Sequence, residues 1–252
     1  MKLRVLGCYG GVTQDHKVTS FLINDHVLLD AGSVPASLPL DQQREIDAAI
    51  ISHSHLDHCA GLVFLIDNIF ADSKAPLRII ATAGTAQAIQ DHLLNGTIWP
   101  DFTTIRRTGS SVVTLEMLEP EKPKNVDELI VTPFSVQHTV ETVGFVISDG
   151  NAAMLYSADT SDLGPVIRQA EKTDNLKLAI LEASFPNALR DMARTTGHLV
   201  PEQLAPLAAS LGAHVPIRLF HMKPRYVEQI AIDAASLQGD VALLSEGQTI
   251  EL

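Results

Sequence analysis

The segment Ile51 to His58 reads Ile-Ser-His-Ser-His-Leu-Asp-His and places three histidines and one aspartate within six residues. Imidazole and carboxylate at this density form a donor set for divalent ions. The chain holds ten histidines in 252 residues, so three in six positions is a concentration that chance does not favour. On an extended backbone the alternation puts His53 and His55 on one side. Asp57 and His58 fall where the chain turns into the next helix, so one short loop could feed two adjacent metals.

The apolar run Ile46 to Ile51 reads as a buried strand, which puts the motif at a strand end. The same placement recurs further on. Strands over 129–134, 153–157 and 217–220 lead into His138, Asp159 and His221. Open α/β sheets gather such ends into one crevice. A lone histidine such as His138 or His221 is as readily structural as ligating; the joint placement singles these residues out. Seven nitrogen and oxygen donors suit two ions better than one. His53, His55 and His138 would take the first ion and Asp57, His58 and His221 the second, with Asp159 bridging. No thiolate helps to select the metal; zinc is expected, with manganese or iron acceptable to the same donors.

Three further residues attach to this set. Asp30 ends a strand over 27–29 and is placed to orient a ligand from behind. Glu182 ends a strand over 176–181, and His198 lies in Gly197-His198-Leu199. Neither is needed as a ligand. As a hydrogen-bonded pair, the carboxylate would fix the imidazole tautomer and raise its basicity, and the histidine could protonate a leaving oxygen. Asp57 counts with Glu182 and His198 among the catalytic candidates. His16 could line a pocket mouth but is not expected to bind metal.

The elements that must position these residues alternate in type along the chain. Strands are expected over 2–7, 18–23, 27–29, 46–51, 77–81, 112–118, 129–134, 143–148, 153–157, 176–181, 217–220, 241–244 and 248–252. Helices are expected over 59–70, 84–94, 162–170, 187–193, 201–211 and 226–235, with a helical or turn segment at 35–44. Residues 119–124 read as a turn. Residues 96–110, with Trp99, Phe102 and the Arg106-Arg107 pair, have poor periodicity. They are either an excursion over the active-site mouth, fit for a nucleobase and phosphate, or a surface loop anchored by its tryptophan. With no repeat, linker or charge block, residues 1–252 are expected to form one domain.

Composition narrows the function classes. A hydrophobic fraction of 46% is that of an ordinary globular protein. No apolar stretch approaches the length of a membrane span. The N-terminal MKLRVLGCYGG lacks a signal-peptide h-region, and the two cysteines, Cys8 and Cys59, have no disulfide or zinc-thiolate spacing. A cytoplasmic location is expected. A net charge of −12 argues against a broad nucleic-acid surface. It leaves room for a small anionic substrate, because bound ions would invert the local field. Gly7-Cys8-Tyr9-Gly10-Gly11 is no nucleotide fingerprint. The apolar helices would permit a homodimer.

The His53-Ser54-His55-Leu56-Asp57-His58 element, followed by isolated His, Asp and His, resembles the metallo-β-lactamase superfamily of metallohydrolases along essentially the whole chain. That resemblance implies an α/β fold, a four-layer αββα sandwich. Within the superfamily, Thr19 to Asn24, Leu28 to Gly32 and His53 to Leu62 look like the class II cyclic-nucleotide phosphodiesterases. Glu182-Ala183-Ser184-Phe185 and Gly197-His198-Leu199 are similar both to that family and to the tRNA 3′-processing nucleases, in which the corresponding glutamate and histidine form a proton relay. Cys59 departs from the phosphodiesterase pattern, which usually has an aliphatic residue there.

The resemblance and the residues together imply a dinuclear-metal phosphodiesterase that converts 3′,5′-cyclic nucleotides, cyclic AMP foremost, to 5′-nucleotides. The alternatives are a tRNA 3′-processing or other RNA phosphodiesterase, hydrolysis of a lactam, thioester or lactone, and a non-catalytic metal-binding sensor or scaffold.

Overall fold

The computed structural model describes residues 1–72, 75–107 and 109–252. Thr108, in the segment 96–110, lies outside the described residues. The strands in chain order are β1 (Lys2–Gly7), β2 (Ser20–Ile23), β3 (Val27–Ala31), β4 (Ala48–Ile50), β5 (Leu77–Thr82), β6 (Arg106–Arg107), β7 (Ser110–Ser111), β8 (Val113–Leu118), β9 (Lys124–Val126), β10 (Leu129–Val136), β11 (Thr142–Ser148), β12 (Ala153–Tyr156), β13 (Leu176–Glu182), β14 (Ile217–Phe220), β15 (Val241–Leu243) and β16 (Thr249–Glu251). The helices are α1 (Leu40–Gln43), α2 (Leu56–Cys59), α3 (Gly61–Ile69), α4 (Ala83–His92), α5 (Gly164–Lys172), α6 (Arg190–Thr196), α7 (Ala205–Leu211) and α8 (Val227–Ala234).

Two seven-stranded sheets result, ordered β16-β1-β2-β3-β4-β5-β8 and β15-β14-β13-β12-β11-β10-β9. Both are mixed. β3, β4, β5 and β8 run parallel, as do β12 to β15, and the remaining neighbours are antiparallel. The period-2 alternation of the first sheet divides its side chains between two cores. Leu3, Val5, Phe21, Ile23, Leu29 and Ile50 meet the second sheet's Val131, Phe145, Met154 and Ile180. Leu6, Leu22, Leu28, Ala49 and Ile51 alternate with them and pack against Leu62, Ile66 and Ile89 of α3 and α4. Val166 of α5, Leu207 of α7 and Ile230 of α8 join the core on the second sheet's side. The expected α/β sandwich is therefore present, with helices flanking two mixed sheets. No helix among the described residues is long and apolar enough to cross a membrane.

Differences from the sequence reading are local. The residues read as a turn at 119–124 lead straight into β9, which pairs with β10 at the sheet edge. Its Lys-Asn-Val carries too little apolar character to show. The helix expected from Cys59 starts earlier, as α2, with His55 as N-cap. In the segment 96–110, β6 and β7 form a small ribbon. Trp99 packs edge-on against Phe64 at 5.2 Å, and Phe102 lies against Phe70. The segment's aromatic residues are thus drawn down onto α3, as the anchored-loop reading expects.

Both cysteines are fully buried and free. Burial, then the nearby Asp30, pushes the Cys59 thiol up to about 12, and burial raises Cys8 as well. Thiolate is the reactive form. Iodoacetamide at pH 8 should therefore leave the native protein unlabelled and modify two sites once urea unfolds it, as read by intact mass. Labelling of the native fold would contradict this packing.

Candidate metal centre

β10, β12, β13 and β14 all point the same way, since β11 is antiparallel to both β10 and β12. Their ends deliver His138, Asp159, Glu182 and His221 to one edge of the second sheet. β3 and β4 deliver Asp30 and His53 from the first sheet. His55 caps α2, whose first turn carries Asp57 and His58. Three of these positions are bought with backbone strain: Asp30 (φ 54°), Ala158 just before Asp159 (φ 51°) and His221 (φ 65°) are left-handed, each costing about 1–3 kcal/mol.

The sequence-predicted donors converge. His53, His55 and His138 bring ligand atoms within 4.8 Å of one another, as do Asp57, His58 and His221, and also His53, His58 and Asp159. The Asp159 carboxylate lies between the groups, its oxygens 3.9 Å from His53 Nε2, 3.4 Å from His58 Nε2, 3.9 Å from His138 Nε2 and 3.1 Å from His221 Nε2. Yet neither Asp159 oxygen is aligned for a hydrogen bond, and His53 Nε2 and His58 Nε2 are also buried without a partner. Buried polar atoms are rarely left so. Four such atoms facing one point fit divalent cations.

Hydrogen bonds behind the imidazoles set their tautomers. Ser52 Oγ donates to Asp30 Oδ2 (2.9 Å), so it accepts from His53 Nδ1 (2.9 Å). His58 Nδ1 donates to Asp30 Oδ2 (2.8 Å) and His138 Nδ1 to the Gly197 carbonyl (2.8 Å). Ser184 Oγ donates to Glu182 Oε2 (2.8 Å) and accepts from His221 Nδ1 (2.9 Å). In the neutral form of all four these bonds place the proton on Nδ1 and leave Nε2 bare toward the centre, the form that binds metal. Gly197 caps α6 at φ 82°, and a Cβ there would meet His138 Nδ1 at 2.7 Å. Only glycine allows that carbonyl so close to the ring.

Charges follow the same plan. Burial, then neighbouring histidines, lowers His53 well below its usual value. Burial also acts to lower His58, but Asp159 and Asp30 outweigh it and hold His58 well above. Burial would raise Asp57 and Asp159; the surrounding imidazoles hold both well below the carboxylate range. Most of the cluster is sealed from solvent, and Asp57, with 25% of its side chain exposed, stands on the open side with His55.

Beside this cluster, His198 Nδ1 donates to Glu182 Oε1 (3.0 Å), which also accepts from the Thr160 backbone N–H (2.9 Å). Burial acts to lower His198, but Glu182 outweighs it and the net shift is upward. The His198 ring stacks on His221 at 5.0 Å. His16 stays apart from the cluster, edge-on to Tyr9 at 4.3 Å.

Sequence reasoning missed Ser52, Tyr156 and Ser184. Tyr156 OH donates to Asp30 Oδ2 (2.7 Å), and the Ser52 N–H donates to Asp30 Oδ1 (2.8 Å). Asp30 is fully buried with four donors upon it. Asp30→Ala would strand them, and the urea-unfolding free energy should fall by about 3–5 kcal/mol. A loss below about 1 kcal/mol would show the network to be dispensable.

Comparison with known proteins gives consistent matches. The family model described as "Beta-lactamase superfamily domain" matches residues 23–222. A probable 3′,5′-cyclic-nucleotide phosphodiesterase of Yersinia pestis is 28% identical, over 88% of this chain and 78% of that protein. A ribonuclease Z of Halorubrum lacusprofundi is 26% identical, over 100% and 98%. Among solved structures, the metallo-beta-lactamase fold protein YhfI from Bacillus subtilis superposes with a TM-score of 0.79 at 22% identity, covering 99% of both chains. Unliganded yeast PDE1 gives a TM-score of 0.79 at 19% identity, over 100% of this chain and 99% of that one. The structural likenesses speak to the fold.

Proposed function

The chain belongs to the β-lactamase superfamily as a metal-dependent hydrolase of the metallo-β-lactamase fold, and from that premise we propose that it cleaves phosphodiesters, with 3′,5′-cyclic nucleotides, cyclic AMP foremost, as substrates. The observation that carries this reading is the Glu182–His198 pair, joined at 3.0 Å beside the seven-donor cluster. Opening a cyclic phosphodiester expels a poorly acidic alkoxide, which needs a proton.

His53, His55 and His138 would hold one ion, Asp57, His58 and His221 the other, and Asp159 would serve both. Zinc suits these donors, and manganese or iron are alternatives. When bound, such ions supply an activated water and offset charge on the phosphoryl oxygens. The protein's own contribution is orientation and proton delivery. Asp30, Ser52, Ser184 and the Gly197 carbonyl keep the imidazoles in register. Glu182 holds the His198 Nδ1 proton and biases the ring toward its cationic form. His198 Nε2–H is then free to protonate the departing 3′-oxygen.

The likeness to a curated cyclic-nucleotide phosphodiesterase supports the substrate class. The net charge of −12 disfavours a long nucleic acid. Purified protein loaded with zinc or manganese should convert cyclic AMP to 5′-AMP, measured by chromatography. Cleavage of precursor tRNA in place of cyclic AMP would transfer the reading to an RNA-processing nuclease. Inactivity on both would remove it.

A further inference from the structure

On one flank of the centre a recess of about 390 Å³ lies between the β1–β2 loop, the turn after β3 and the start of α3. Its size falls within the roughly 300–1,000 Å³ of small-molecule sites. Val12, Gln14, His16, Gly32, Pro35 and Phe64 are among its lining residues. Val12 is 73% exposed and Phe64 52%, a large apolar surface that faces water unless something covers it.

The recess adjoins the Asp57–His221 side of the centre. Gly32 lies against the Asp57 carbonyl, where an added Cβ would stand 2.1 Å away, and a Cβ added at Gly10, at the start of the same β1–β2 loop, would stand 2.7 Å from the His221 ring. The walls carry few polar groups. Lys17 is paired with Glu246 (3.5 Å), and His16 is fixed by Thr13 Oγ1 on Nδ1 (2.7 Å) and by the edge of Tyr9. His16 Nε2 and the Gln14 amide remain to meet a ligand. A flat ring face at Phe64, two hydrogen-bonding groups and no uncommitted charge suit a neutral aromatic heterocycle, and suit a phosphate poorly.

We propose that this recess is the subsite for the nucleobase, seating the base against Phe64 and Val12 with its polar edge toward Gln14 and His16 while the phosphodiester occupies the centre. The proposal rests on the phosphodiesterase reading for its catalytic consequence, but base binding is measurable without turnover.

The chain's sole tryptophan, Trp99, touches Phe64 and serves as reporter. Adenosine should change Trp99 emission saturably, and ribose should not. Ala36→Phe narrows the recess from its exposed rim. It should weaken adenosine binding about 10- to 100-fold, and cut by a similar factor the kcat/KM preference for cyclic AMP over methyl 4-nitrophenyl phosphate, a diester without a base. The result that overturns the proposal is no adenosine response, or equal loss of both substrates in the variant. A response to decanoate but not adenosine would overturn it too, marking an acyl site. If the wild type hydrolyses neither diester, the phosphodiesterase reading fails, and the adenosine titration of wild type against Ala36→Phe still decides the subsite.

Discussion

Asp159→Asn should lower turnover of cyclic AMP by about a thousandfold or more and leave the protein with less than its full complement of bound metal after dialysis. The carboxylate lies within 4 Å of His53, His58, His138 and His221, and neither oxygen has another bond to make. The amide keeps the shape but loses the charge, and it turns an N–H₂ donor toward one of these imidazoles. Among the described residues no other carboxylate is shared by the two donor groups: Asp57 faces only His221 at hydrogen-bonding distance (3.1 Å). Metal analysis by mass spectrometry beside steady-state kinetics makes the check. A variant that holds both ions and keeps its rate would remove Asp159 from the centre.

His198→Ala should act differently. Bound metal should match the wild type, while kcat on cyclic AMP falls about 10²- to 10⁴-fold, the usual worth of a positioned acid. With bis(4-nitrophenyl) phosphate, whose leaving group departs without a proton, the loss should shrink to about tenfold or less, since acid catalysis has little left to supply. Glu182→Gln adds a pH signature. Glu182 holds His198 above its ordinary value; an acid works only while protonated, so activity falls as pH rises through that value. Removing the charge lets the value drop, and the alkaline limb of kcat should move to lower pH. Equal losses on both substrates would instead assign His198 to binding or structure.

What the sequence disclosed depended on how local each feature is. His53, His55, Asp57 and His58 are neighbours in one short stretch of chain, so their spacing alone names the chemistry. His138, Asp159 and His221 were visible only because each follows an apolar run, and the topology that joins those strand ends is a property of the whole sandwich. Tyr156 and Asp30 meet across 126 residues; within its strand the tyrosine is indistinguishable from core. Ser184 sits in a four-residue stretch that drew attention for its glutamate alone. The short ribbon of β6 and β7 and the edge strand β9 carry almost no buried apolar pattern, so periodicity had nothing to register. The seat of Trp99 on Phe64 was likewise decided by a helix distant in sequence.

The Ser184 hydroxyl ties one carboxylate to two tasks. Glu182 holds His198 directly and reaches His221 through that single side chain. On the proposed reading, proton supply and cation grip are therefore linked through this carboxylate. A change that makes Glu182 more anionic strengthens both, and a change that draws it toward His198 slackens the other arm. Retuning His198 through Glu182 then also disturbs the His221 Nδ1 contact, and engineering that seeks one effect without the other starts at Ser184.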